Sequence, residues 1–108
     1  MAFQFAAKLS ALKKAVTMRV ELDEKPVFLA YHDDDVHAIS DKCPHMKTSL
    51  HDGHFENGLV TCKRHNARID VVSGEIQEKA KVLFMKIPTK KAQTYVTKVE
   101  DDDVFVLV

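Results

Sequence analysis

Turn-forming residues cut this chain into pieces too short for most helices. Asp23-Glu-Lys-Pro26, Asp33-Asp-Asp35, Asp52-Gly53, Asn57-Gly58 and Ser73-Gly74 each combine residues that bond local backbone, fix φ or tolerate positive φ. Between them lie short runs rich in β-branched and aromatic residues, at 3–5, 18–22, 27–31, 36–39, 59–61, 68–71, 95–99 and 104–107. Several alternate apolar with polar at period two, as half-buried strands do. One helix is expected, at 10–15, with Ser10 as its cap. Strands this short at this spacing define an all-β chain, an antiparallel sandwich or partly open barrel.

At 108 residues the chain is one domain's worth of material. A chain of that size buries about 60–70% of the surface its unfolded form exposes, so it needs no covalent staples. Lys plus Arg (16) equals Asp plus Glu (16), and no net field draws the protein to nucleic acid or an anionic membrane. No apolar run reaches the roughly 20 residues of a membrane span. Residues 1–7 are too short for a secretory leader, with Lys8, Lys13 and Lys14 on the wrong side, so a cytoplasmic location is expected. Two cysteines make a poor disulfide framework. Asp33-Asp-Asp35 and Asp101-Asp-Asp103 both lead into apolar strands. They lack the alternating ligands and central glycine of an EF-hand loop and read as solvated hairpin tips.

Both cysteines fall in one segment: Cys43-Pro44-His45, sixteen further residues, then Cys62-Lys63-Arg64-His65. Each half lies in a connection between expected strands. Ligands two or three positions apart there reach neighbouring metal atoms, and Pro44 stiffens the first half by fixing its φ. A zinc finger pairs Cys with Cys and His with His. Here each half supplies one thiolate and one imidazole, which suits a binuclear centre with the cysteines on one metal and the histidines on the other. A single zinc held by Cys43, His45, Cys62 and His65 stays open on the same spacing.

This pattern resembles the Rieske [2Fe-2S] proteins, whose motif is C-x-H, about fifteen to seventeen residues, then C-x-x-H. The resemblance extends to Leu50-x-x-Gly53, to Gly74-Glu75 where the second loop turns back, to residues 26–40 before the motif and to residues 95–106 after it. It implies a single Rieske domain over 1–108, with 1–35 and 81–108 as base fold and 36–80 as a cluster-binding subdomain of two loops. It implies one [2Fe-2S] cluster per chain, with Cys43 and Cys62 on one iron and His45 and His65 on the other. Thiolates suit ferric iron and neutral imidazoles ferrous iron, so the electron settles on the histidine side, and His45 and His65 form the edge through which it passes. Respiratory members carry a further cysteine in each loop, bridged to each other. Cys43 and Cys62 are the sequence's only cysteines, so the resemblance is to the low-potential soluble ferredoxins, near the negative end of the Rieske range at about −150 mV.

Some positions depart from the family pattern. Lys47 and Asn66 stand where glycines are usual, Lys63 where proline is common and Ile69 where an aromatic is common. Residues 78–83 lack the Pro-rich segment that covers the cluster, the stretch from 74 to 95 is longer than usual, and Pro88 is expected to supply part of that cover. His51 and His54 read as exposed non-ligands in the variable part of the first loop. His32 and His37, flanking an acidic turn, read as surface residues.

The implied function is one-electron transfer from a flavin-containing, NAD(P)H-dependent reductase to a terminal oxygenase, by a monomeric carrier that is not itself an enzyme. The chain has no room for the mononuclear iron domain of a Rieske oxygenase and no two-His-one-carboxylate set outside the motif. A Cys–His nucleophile pair is normally assembled across a fold, not within one short loop. The alternative is an accessory subunit of a reductase, such as the small subunit of assimilatory nitrite reductase, whose members often lack the ligands present here. Residues 43–54 and 62–68 carry Lys47, Lys63, Arg64 and Arg68 against Asp52, a positive patch expected to speed docking onto acidic partner surfaces. We expect Cys43→Ser or Cys62→Ser to abolish the visible absorbance of the purified protein, and His51→Ala and His54→Ala to preserve it. A holo spectrum surviving either cysteine change would overturn the ligand assignment.

Overall fold

The computed structural model describes residues 2–42, 49–62, 68–78, 81–82, 85–86 and 92–108. The chain enters as β1 (Phe3–Lys8), passes through a short helix α1 (Leu9–Ala15) and continues as an antiparallel meander of β2 (Thr17–Leu22), β3 (Lys25–His32) and β4 (Asp35–Ser40). The two turns of the meander place Asp23 and Glu24 at φ 53° and 64°, and Asp33 and Asp34 at 54° and 61°. Positive φ at both central residues matches the twist of the flanking strands. Aspartate tolerates that region better than most residues.

The helix forms where expected, but Ser10 is not its cap. Lys8 occupies the cap position without a side-chain bond, and Ser10 lies inside the first turn. The Asp102 carboxylate instead accepts the Ser10 backbone N–H at 3.0 Å and its hydroxyl at 2.8 Å, while the Asp102 carbonyl accepts the Leu9 N–H at 2.7 Å. A carboxylate satisfies two donors at once and favours the positive end of the helix, so it replaces the local hydroxyl. The acidic turn at 101–103 therefore has a structural task, which includes the Asp103 ion pair with Lys8 at 2.6 Å.

A second antiparallel sheet runs β5 (His54–Glu56), β6 (Leu59–Thr61), β7 (Arg68–Asp70) and β8 (Ile76–Glu78), and β9 (Lys81–Val82) pairs with β10 (Met85–Lys86). The chain then returns as β11 (Thr94–Tyr95) on the free edge of β4, and ends as the hairpin of β12 (Thr97–Glu100) and β13 (Asp103–Leu107), with β13 also pairing β1. The sheet orders are β11-β4-β3-β2, β1-β13-β12 and β5-β6-β7-β8. This is the expected antiparallel β architecture, its sheets left open. The run at 95–99, expected as one strand, divides at Val96, whose carbonyl accepts the Leu107 N–H at 2.9 Å. The chain changes sheets there, as strands do at the corners of packed sheets.

Val27, Phe28, Leu29 and Ala30 of β3 are all buried, because the β3–β4 hairpin is covered on both faces. Val27, Leu29, Val36 and Ala38 join one cluster with Leu12, Val104 and Val106. Phe28, Ala30 and Ile39 join another with Leu50, Val60, Cys62, Ile69 and Val71. His32 and His37 are half-buried rather than surface residues. The His32 ring stands edge-on to Phe55 at 6.4 Å, under the β5–β6 turn, and a Cβ on Gly58 would lie 2.7 Å from His32 Nε2. Gly58 also holds φ +78°, so two independent constraints select glycine. Gly58→Ala is expected to destabilise the protein by about 1–3 kcal/mol, read from the urea midpoint at unchanged slope.

Candidate metal centre

The first half of the motif leaves the central sheet at Asp41, two residues before Cys43. Lys42 and Ser49 form an antiparallel bridge, so residues 43–48 are the span between two paired positions. Beneath the bridge, Asp41 is 1% exposed and is the one buried polar or charged side chain among the described residues. Its Oδ1 accepts the His51 backbone N–H at 2.9 Å. Its Oδ2 accepts Arg19 Nε–H at 3.0 Å and the Ser49 hydroxyl. The main chain repeats the connection: the Leu50 N–H donates to the Asp41 carbonyl at 2.6 Å, and the Asp41 N–H to the Pro26 carbonyl at 3.0 Å. Hydrogen bonds to an ion are worth about 1.5–3 kcal/mol each, while burying the carboxylate costs several.

The second half is built the same way. Thr61 pairs with Arg68 across β6 and β7, and Cys62 is the first residue beyond Thr61. In both halves, then, a cysteine directly follows a paired residue, Lys42 of an isolated bridge or Thr61 of β6. Cys62 is fully buried in the apolar cluster with Leu50, Val60 and Ile69. The two halves meet at Gly53, where a Cβ would overlap the Thr61 carbonyl oxygen and lie 3.2 Å from the Leu50 carbonyl. Gly53 has φ −89°, which any residue can adopt, so close approach alone requires glycine here. That approach sets the exit of the first half directly on the entry of the second.

Cys43, His45 and His65 lie outside the described residues, as do Lys47, Lys63, Arg64, Asn66 and Pro88. Cys62 is the member of the expected ligand set that is placed. Ile69 fills the core below the second half, where an aromatic was the family expectation. His51 and His54 are exposed as expected; His54 Nε2 sits 3.3 Å from Glu56 Oε2, and the His51 ring lies 6.2 Å from that of Phe28. Sequence reasoning missed Asp41, Arg19 and Ser49 as a unit. The one available signal was a pair of hydrogen-bonding residues, Asp41 and Ser49, bracketing Cys43-Pro44-His45. Among the described residues no three His, Cys, Asp or Glu side chains converge into a cage that would compete for a metal.

With this geometry in place, comparisons with known proteins are decisive about the family. The family model of the Rieske [2Fe-2S] domain matches residues 2–89. The chain belongs to the Rieske [2Fe-2S] domain family, whose cofactor is a [2Fe-2S] cluster. It is 33% identical over 89 residues to the ferredoxin component of biphenyl 2,3-dioxygenase of Rhodococcus jostii, covering 82% of this chain and 77% of that one. It is 34% identical over 71 residues to the ferredoxin component of the alkene monooxygenase system of Xanthobacter autotrophicus, covering 65% of this chain and 58% of the relative's length. In structure it is similar to the ferredoxin of carbazole 1,9a-dioxygenase from Nocardioides aromaticivorans, with a TM-score of 0.81 and 25% identity over 98% of this chain and 97% of that one.

The buried position of Cys62 fits the cofactor of the family. A buried thiolate without an opposite charge is costly, and the described residues give Cys62 no polar partner. A thiolate-loving metal removes that cost. The family's two-metal cofactor also sets aside the single-zinc reading. Gly53→Ala is expected to force the two halves apart, costing about 2–4 kcal/mol, and to lower iron per chain in the purified protein. Full iron occupancy in that variant would show that the contact with Thr61 does not set the site.

Proposed function

We propose that this chain is a one-electron carrier, holding its cluster through Cys43 and Cys62 on one iron and His45 and His65 on the other. The observation that supports this most strongly is the close approach of Gly53 to Thr61, the residue before Cys62, within a Rieske chain. When bound, the cluster supplies one-electron redox chemistry at a potential raised by replacing two anionic ligands with neutral ones. His45 and His65 would hold the second iron, and their neutral imidazoles would favour its ferrous state and offer a route for the electron. Cys62 is buried in a water-poor environment made by Leu50, Val60 and Ile69.

The relatives are ferredoxin components of a monooxygenase and a dioxygenase system. By that analogy the chain takes electrons from a flavin-containing, NAD(P)H-dependent reductase and passes them to a terminal oxygenase, transforming no substrate itself. Residues 36–80 serve as the cluster-binding part of a single domain and 1–35 with 81–108 as its base. Lys47, Lys63, Arg64 and Arg68 give the cluster end a positive face for acidic partner surfaces. We place the carrier in the cytoplasm, beside its NAD(P)H-linked donor, as a monomer. No helix of the described residues is long and apolar enough to cross a membrane.

The test is stopped-flow spectroscopy of the full chain with a reductase of this type and then with an oxygenase. One electron should be taken up per chain, at a potential near about −150 mV, and delivered to the oxygenase more slowly as salt rises. A rate indifferent to salt would remove the docking face, and a cluster that the reductase cannot reduce would remove the carrier role.

A further inference from the structure

We propose that Asp41 is the positioning residue of the first ligand span. Its buried carboxylate fixes the separation of the two ends of residues 43–48, so that Cys43 and His45 are presented to the cluster already in place. The inference rests on the cluster assignment above. Three donors converge on this one side chain: Arg19 Nε–H at 3.0 Å, the His51 backbone N–H at 2.9 Å and the Ser49 hydroxyl. Two of them, Ser49 and His51, lie just after the span, and Asp41 lies just before it. The third, Arg19, belongs to β2, so the network also ties the span to the central sheet.

Only a carboxylate can fill this position. Both of its oxygens accept, and each already faces a donor; an amide would turn its NH2 toward one of them. Asparagine therefore keeps the shape and loses the match, leaving a buried donor facing a donor. Among the described residues the other half has no second buried carboxylate; Thr61 pairs with Arg68, and Cys62 is buried among apolar side chains.

The experiment compares Asp41→Asn and Ser49→Ala with Asp102→Asn in the full chain. Asp102 also accepts two donors, Ser10 N–H and Oγ–H, but at α1 in the base, and its loss controls for destabilisation alone. Urea midpoints give the stability of each variant. Iron and sulfide content, the lifetime of the visible absorbance under a chelator and the EPR spectrum after dithionite reduction report on the cluster. Asp41→Asn should shorten that lifetime about tenfold or more, the effect seen when groups that orient metal ligands are removed, and should broaden the EPR lines. Ser49→Ala should move both in the same direction by less, and Asp102→Asn should leave the lifetime within about twofold of the parent. Equal lifetimes in Asp41→Asn and Asp102→Asn at matched stability overturn the proposal. Should Asp41→Asn fail to fold, an unchanged lifetime in Ser49→Ala overturns it. A parent protein without iron and sulfide defeats the cluster assignment itself, whereas a loaded parent with an unaffected Asp41→Asn defeats only the role of Asp41.

Discussion

The β3–β4 hairpin buries apolar side chains on both faces, Val27, Leu29, Val36 and Ala38 against Leu12, Val104 and Val106, and Phe28, Ala30 and Ile39 against Leu50, Val60 and Ile69. Because side chains alternate along a strand, a register slip of one residue would exchange these two sets, and Phe28 would meet the space made for Leu29. The register is thus specified twice. It fixes where β4 ends, and so where Asp41 and the first cysteine begin. The same hairpin seats the second sheet through Phe28, Phe55 and the half-buried ring of His32.

From that hairpin outward the site is assembled by short, closed connections. Lys42 pairs with Ser49, and Thr61 with Arg68. Gly53 allows the two halves to touch where any side chain would hold them apart. For a carrier this economy matters. A ligand set that is held by the fold moves little when the charge on the metal changes. The polar network around Asp41 and the apolar burial of Cys62 achieve the same end by opposite physical means.

Much of this was legible in the sequence. Runs rich in β-branched or aromatic residues became β1, β2, β3, β4, β6, β7 and β13, and several of them alternate at period two because one face meets the core. The turns with Asp and Gly at positive φ were equally local. What escaped was whatever depends on a distant partner. Ser10 looked like a cap by its neighbours, but Asp102, 92 positions away, takes the role. Strands such as β5, β9 and β10, of two or three residues, exist because a neighbour pairs with them and carry too few side chains to show a period. Asp41 drew no reading at all, because nothing in one dimension shows that Arg19 and Ser49 converge on it. The ligand spacing was the most readable feature of the site, since its chemistry resides in residue identity.

The central claim is that two histidines and two cysteines of this chain share one binuclear iron cluster. Pulsed EPR of the dithionite-reduced protein, purified without added metal, tests it directly. The account predicts a rhombic signal with an average g below that of all-cysteine clusters and hyperfine couplings from two imidazole nitrogens. An EPR-silent sample, or a signal without nitrogen coupling, would contradict it.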